Sequence, residues 1–160
     1  MKTLSIQSFG ISNAYLDQII TTYDFPNLTH LEIYLGTEFY NGVTESYGLT
    51  DLFAGKYPAL KHLSLLDSDI TDEVIYEIAH SSIIEQLESL DLSFGTVTDE
   101  GATMLLNSPK IHSLQSLSLN SNNLSFNFIN EEIPKLKLGI EIDTKDQRGE
   151  PDERFFMIRE

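Results

Sequence analysis

The stretch Leu87-Glu88-Ser89-Leu90-Asp91-Leu92 decides the fold of this chain. Its pattern, L-x-x-L-x-L, is followed by a polar turn and by Thr98-Asp99-Glu100, where a helix is predicted to start. The same pattern begins 27 residues earlier at Leu60 and 27 residues later at Leu114. A fixed period of this kind indicates an array of repeats, each of which packs against the next.

The register extends in both directions from this stretch. Stepping back from Leu28 by one period reaches Met1, so the first repeat begins at the first residue. After Pro134 the period fails: a sixth strand, residues 138–142, arrives early, and residues 143–153 read as a polar loop. We therefore predict a single domain, residues 1–160, with repeats at residues 1–27, 28–59, 60–86, 87–113 and 114–137 and a strand cap at residues 138–160. In that cap, residues 154–159 form a final apolar strand that covers the open end of the array.

Composition limits the classes of function. Acidic residues outnumber basic residues 25 to 10 among 160 residues, which gives a formal charge of −15. Such a charge repels phosphate backbones and anionic lipid, so we expect no nucleic acid or membrane partner and favour a protein partner with a basic surface. The chain has no cysteine and begins without the apolar region of a secretory signal. We expect a soluble, cytoplasmic, monomeric protein without a cofactor.

The second repeat is 32 residues long, and its surplus lies in residues 36–42, which we call the repeat-two loop. The loop contains two glycines, an asparagine and the aromatic residues Phe39 and Tyr40. Insertions in a repeat array often mark the binding face. A tolerated surface loop explains the same residues equally well.

Two helix starts carry repeated acids, Thr71-Asp72-Glu73 and Thr98-Asp99-Glu100. We interpret each threonine as an N-cap and the carboxylates as partners of the helix dipole, because catalytic residues are rarely copied in tandem. Gly101 is expected to allow a close approach of helix to strand. Asn122 is expected to hydrogen-bond backbone groups at the end of its strand.

These residues resemble the leucine-rich repeats of the ribonuclease-inhibitor-like class over about residues 1–133. The stretches 32–36, 66–73 and 140–152 are further similar to an uncharacterised bacterial leucine-rich-repeat family, whose members often carry a tryptophan at the position of Tyr34 and are longer at the N-terminus. By that resemblance this chain is a shortened member or a trimmed piece of a longer chain. The resemblance implies an α/β solenoid, a right-handed horseshoe arc with a parallel sheet on the concave face, outer helices and the C-terminal cover strand. It implies no activity.

In such an array the residues between the buried leucines project from the concave face in rows across the strands. The first row is Thr3, His30, His62, Ser89 and Ser116; the second is Ser5, Glu32, Ser64, Asp91 and Ser118; the third is Gln7, Tyr34, Leu66, Ser93 and Asn120; beside it lie Ser8, Leu35, Asp67, Phe94 and Ser121. Function is confined to these rows and to the loop above them.

An apolar cluster is predicted at the carboxyl ends of the strands, where Tyr34, Leu35, Leu66 and Phe94 meet beneath Phe39 and Tyr40. An exposed patch with aromatic anchors is typical of a protein interface. The alternative is that the repeat-two loop folds down and buries these side chains.

A polar cluster is also predicted, with His30 and His62 on adjacent strands and Glu32 and Asp91 one row away. Imidazoles and carboxylates can hold zinc or titrate near neutral pH, but no spaced metal motif supports a site. No nucleophile elbow or phosphate loop is present either.

Three hypotheses follow. The leading one is a protein-binding module, not an enzyme, that acts as an adaptor or as an inhibitor or immunity protein. Its partner-binding residues are predicted to be Tyr34, Leu35, Leu66, Phe94, Asp91, Glu32, His30, His62, Phe39 and Tyr40. The alternative is a metal-dependent or hydrolytic enzyme that uses the two histidines and two carboxylates of the polar cluster. The third is a structural domain of a larger assembly.

Overall fold

Six strands, one from each turn of the chain, form a single open sheet. A computed structural model describes residues 1–7 and 10–148. Its strands are β1 Thr3–Ile6, β2 His30–Gly36, β3 His62–Ser68, β4 Ser89–Asp91, β5 Ser116–Ser118 and β6 Glu141–Asp143. They lie in the order β1 to β6, and every neighbouring pair is parallel. The predicted α/β repeat fold with a parallel sheet is therefore confirmed.

The leucines of the repeating pattern build the core on one side of this sheet. Side chains alternate between the two faces of a strand, and Leu63, Leu90 and Leu117 project inward with about 1% of their surface exposed. Helical segments cover that side, and their apolar residues, such as Leu16 and Ile78, are fully buried against the leucines. The opposite face of the sheet, formed by the outward side chains of β1 to β6, we call the sheet face.

The return segments on the outer side are short helices. The α-helices are α1 Asn13–Thr22, α2 Thr50–Phe53, α3 Thr71–His80, α4 Ile83–Gln86, α5 Asp99–Leu106 and α6 Ile133–Leu136. Single turns of 3₁₀ helix lie at Glu38–Tyr40, Ser46–Leu49 and Ile111–Ser113, and a π-helical turn lies at Phe128–Glu132. None of the helices in the described part of the chain is long and apolar enough to cross a bilayer.

Two of the helix starts differ from each other although their sequences match. Thr98 is an N-cap as predicted, since its hydroxyl accepts a hydrogen bond from the Gly101 N–H. Thr71 is not: α3 begins at Thr71 itself, and its hydroxyl donates to the Ser68 carbonyl and accepts from the Thr96 N–H of the next repeat. The prediction of a threonine cap at Thr71 is wrong because contact with the next repeat takes its hydroxyl.

The repeated acids also bond between repeats. The Asp72 carboxylate accepts hydrogen bonds from Thr98, and the Asp99 carboxylate accepts them from the backbone N–H and hydroxyl of Ser125. A Cβ at Gly101 would lie 2.0 Å from Asp72 Oδ1. The close approach that needs this glycine is therefore to the carboxylate of the preceding helix, not to a strand.

A residue with positive φ ends the strand segment in four of the repeats. These residues are Asp67, Phe94, Ser121 and Asp146, with φ between 53° and 62°. In the second repeat the left-handed residue comes one position later, at Gly36, with φ of 73°. Strand β2 therefore keeps its alternation through Leu35, whose side chain joins Leu31 and Ile33 in the core at 0% exposure.

The chain completes half of a sixth repeat. Asn122 bonds the strand ends as predicted, since its amide donates to the Leu92 carbonyl and accepts from the Val97 N–H. Gln147 makes the same pair of bonds one repeat later, to the Leu119 carbonyl and the Leu124 N–H. Residues 143–148 thus continue the repeat and are not the polar loop that was predicted. The predicted cover strand at residues 154–159 lies outside the described residues.

Candidate partner-binding face

The strand pairing places the predicted rows side by side. The first row runs through Thr3, His30, His62, Ser89 and Ser116 and continues to Glu141. The second row, which we call the acid row, runs through Ser5, Glu32, Ser64, Asp91 and Ser118 and continues to Asp143. The sequence missed the last member of each row because β6 lies 25 residues after β5 in register, not 27.

The two histidines are in contact. Their rings stack with centroids 4.1 Å apart and an angle of 26° between the planes. Nδ1 of His30 lies 2.9 Å from the Thr29 hydroxyl, and Nδ1 of His62 lies 2.8 Å from the Ser89 hydroxyl. Both Nδ1 atoms are thus engaged on the sheet face, which fixes the orientation of the two rings.

The predicted polar cluster does not assemble around these rings. Glu32 Oε1 accepts hydrogen bonds from Ser5 and Gln7 on the side of β1, at 2.7 and 3.3 Å. Asp91 Oδ1 accepts from the backbone N–H and hydroxyl of Ser93, at 2.9 and 2.5 Å. Within residues 1–7 and 10–148, no group of three or more His, Cys, Asp or Glu side chains is arranged to hold a metal ion. The geometry gives no support to the metal hypothesis.

The hydrolytic alternative lacks a third partner. His62 contacts the Ser89 hydroxyl through Nδ1, and the carboxylates of Glu32 and Asp91 bond elsewhere. A nucleophilic serine needs a base that a further group orients. The Ser89–His62 contact therefore remains an isolated pair in the part of the chain that the structure describes.

The predicted apolar cluster is only partly exposed. Tyr34 and Phe94 are half-buried, whereas Leu35 and Leu66 are buried, with 0% and 5% of their surface exposed. Leu35 points into the core for the reason given above, and Leu66 stands opposite Tyr34 in the pairing of β2 with β3. The expectation that these two leucines belong to an exposed patch is wrong.

The aromatic side chains of the repeat-two loop do reach solvent. Phe39 is 84% exposed and Tyr40 is 40% exposed, and their rings meet edge to face at 4.9 Å. They occupy a single 3₁₀ turn that a hydrogen bond from the Glu38 N–H to Asp69 ties to the third repeat. The loop therefore presents two aromatic rings on an anchored turn.

The electrostatic field of the sheet face is negative. Burial, and then the carboxylates of Glu32, Asp91 and Asp67, raise the pKa of the Tyr34 phenol above its usual value. At the other end of the sheet, hydrogen bonds from Asn120 and Lys145 lower the pKa of Asp143. The acid row is ionised at neutral pH and surrounds one of the aromatic anchors.

Arg148 is a residue that the sequence analysis did not single out. Its guanidinium is buried at the carboxyl ends of the strands, where Nη2 donates to the carbonyls of Gly95, at 2.9 Å, and Ser121. Burial lowers its pKa, which nearby Asp67 partly offsets. The spacing of Gln147 and Arg148 from Asn122 would have been informative only with the 25-residue register of β6 in hand.

Comparison with known proteins agrees with this architecture. A family model described as a leucine-rich repeat matches residues 86–106. The crystal structure of a Bacteroides fragilis protein is similar, with a TM-score of 0.84 and 33% sequence identity over 94% of this chain. This chain spans 43% of that protein, less than half of its length. None of the curated proteins matches this sequence. The repeat period, the six-stranded parallel sheet and these two similarities together identify the chain as a leucine-rich-repeat protein.

Proposed function

We propose that this chain is a protein-binding module whose sheet face, together with the repeat-two loop, holds a protein partner. Parallel sheets are almost always covered on both faces. Here the outward positions of β1, β2, β4 and β5 are half-exposed or exposed. Leucine-rich repeats commonly mediate protein–protein interactions, and solenoids use such extended faces for that purpose. The open face of the parallel sheet is the observation that carries the proposal.

The composition of the face suits a macromolecular partner better than a small ligand. Two shallow depressions of about 360 and 200 Å³ lie on it, and both are lined mainly by hydroxyl, imidazole and carboxylate groups. Small-molecule sites are usually apolar and concave. A polar face with the half-buried aromatic ring of Tyr34 and the exposed ring of Phe39 at one edge resembles a protein interface, in which a few anchors carry most of the binding energy.

The formal charge of −15 favours a partner with a basic surface. Both an adaptor and an inhibitor or immunity protein would use the face in this way. We assign no catalytic role to it, in keeping with a repeat fold that typically serves binding. We place the protein in the cytoplasm as a monomer, on the same grounds of composition.

Affinity capture from an extract of the source organism tests the proposal. The bait carrying Tyr34→Ser and Phe39→Ser removes both aromatic anchors, and a matched control carries Tyr15→Ser and Tyr76→Ser on α1 and α3, where these rings are 68% and 53% exposed. We expect the control to retain a partner that the wild type captures and the first variant to lose it, with similar melting temperatures. Retention by the first variant and loss by the control would place the interface on the helices and overturn the proposal.

A further inference from the structure

The acid row alternates a hydroxyl and a carboxylate across the whole sheet. Strands β1, β3 and β5 contribute Ser5, Ser64 and Ser118, and strands β2, β4 and β6 contribute Glu32, Asp91 and Asp143. Neighbouring strands lie about 4.8 Å apart, so successive carboxylates stand about 9.6 Å apart along a line that crosses the strands. The first row and the acid row contain no lysine or arginine.

Each of the three carboxylates is held by one oxygen and leaves the other available. Glu32 uses Oε1 for Ser5 and Gln7, and Asp91 uses Oδ1 for Ser93. Asp143 uses Oδ2 for Asn120 and Lys145. Over the residues that the structure describes, the second oxygen of each carboxylate accepts no hydrogen bond. The carboxylates are therefore oriented before any partner arrives, which lowers the entropy lost on binding.

We infer that the acid row is a docking track for a basic peptide segment in the polyproline II conformation, with arginine or lysine at every third residue. This inference rests on the proposed function and names the chemistry of its partner. A polyproline II helix has three residues per turn and rises about 3.1 Å per residue, so every third side chain lies on one face at a spacing of about 9.3 Å. That spacing matches the interval between the carboxylates.

Other backbone conformations fit the track less well. Side chains on one face of a β-strand repeat about every 6.8 Å. Residues seven apart on an α-helix repeat about every 10.5 Å, so the mismatch grows to about 2 Å over two intervals. The half-buried ring of Tyr34 lies one row away, on the same strand as Glu32. Polyproline II segments commonly dock against aromatic side chains, and a guanidinium stacks well on such a ring.

Three synthetic peptides of equal length and charge test the inference with the full chain. The matched peptide is acetyl-Arg-Pro-Pro-Arg-Pro-Pro-Arg-amide. A clustered peptide places the three arginines together before the four prolines, and an alternating peptide places them at every second position. Isothermal titration at low salt should show the matched peptide binding about tenfold more tightly than either control, the scale expected of three exposed ion pairs. Equal affinities for the three peptides would show attraction by net charge alone and would overturn the inference.

Variants of the protein locate the site. Glu32→Gln with Asp91→Asn removes two charges of the acid row without changing shape, and Glu77→Gln with Glu100→Gln removes two charges from α3 and α5 as a control. We expect only the first variant to abolish the preference for the matched peptide, while both keep the melting temperature of the wild type. An unchanged preference in the first variant would contradict the site.

The two proposals can fail separately. If the peptides bind without preference while Tyr34→Ser with Phe39→Ser still loses a captured partner, the binding module stands and the polyproline II track falls. If the matched peptide is preferred but partner capture ignores the sheet face, the track stands and the protein-binding assignment of the aromatic anchors falls.

Discussion

The carboxylate of Asp72 accepts hydrogen bonds from both the backbone N–H and the hydroxyl of Thr98, at 3.1 and 2.6 Å. Asp72 lies in the first turn of α3, and Thr98 caps α5, so one side chain joins the helix starts of two consecutive repeats. The Asp99–Ser125 pair repeats the arrangement one turn later, with 2.8 and 2.6 Å. Repeats are thus joined by side-chain bonds on the outer side as well as by the sheet.

Replacing Asp72 with alanine should lower the free energy of unfolding by about 1–2 kcal/mol, because the Thr98 N–H and hydroxyl both lose their acceptor. Glu77→Ala on the same helix is the control, since Glu77 is exposed and should change stability by less than about 0.5 kcal/mol. Urea denaturation measures both. Equal effects of the two substitutions would show that the inter-repeat bonds contribute nothing.

Replacing Asn122 with alanine should be more damaging than replacing Gln147 with alanine. Asn122 is 0% exposed, so its loss leaves the Val97 N–H and the Leu92 carbonyl buried without partners, at a cost of about 2–4 kcal/mol. Gln147 makes equivalent bonds but is half-buried, and water can replace part of what is lost, so we expect about 1 kcal/mol. Denaturant midpoints of the two variants give the order; a reversed order would contradict this ranking.

The Tyr34 phenol should titrate above its usual value of 10.0, because burial and then the carboxylates of Glu32, Asp91 and Asp67 oppose the phenolate. Since the folded state favours the neutral phenol, this contribution to stability is present below pH 10 and is lost as the pH rises through the folded pKa. The difference in ultraviolet titration between the wild type and Tyr34→Phe measures it.

Removing carboxylates should lower the Tyr34 pKa without restoring its usual value. Burial is the largest cause of the shift, and it remains in the Glu32→Gln, Asp91→Asn variant. The Glu77→Gln, Glu100→Gln control should leave the phenol titration unchanged, since both carboxylates lie on the helices. A response to the control as large as the response to the acid-row variant would indicate a uniform field and not a local one.

Arg148→Ala should destabilise the end of the array by about 2–3 kcal/mol, because the Gly95 and Ser121 carbonyls lose their buried donor. Lys145→Ala is the control three residues away, where an exposed ion pair with Asp143 at 3.1 Å contributes less than about 1 kcal/mol. Hydrogen exchange at the Phe94 and Ser121 amides should quicken in the first variant only. Unaltered exchange there would show that Arg148 does not support the strand ends.

The sequence predicted the repeat period, the parallel order of the strands and the helix cap at Thr98, because each of these depends on residues close together in one repeat. It also predicted the task of Asn122, since an amide at that offset from the leucines can reach only the backbone at the end of its own strand and of the strand before. The outward rows followed from the same alternation. His30 and His62 were expected on adjacent strands, and their rings stack.

Tertiary structure decided the rest. Leu35 turns inward because the left-handed residue of the second repeat falls at Gly36, one position later than elsewhere. The Thr71 hydroxyl is taken by Thr96 of the next repeat, which a matching sequence at Thr98 could not reveal. Asp143 joins the acid row only because β6 pairs with β5 after 25 residues. Local sequence thus determined which residues are leucine-like core and which are outward, while register between repeats, set by packing across the array, decided which outward side chains stand in line.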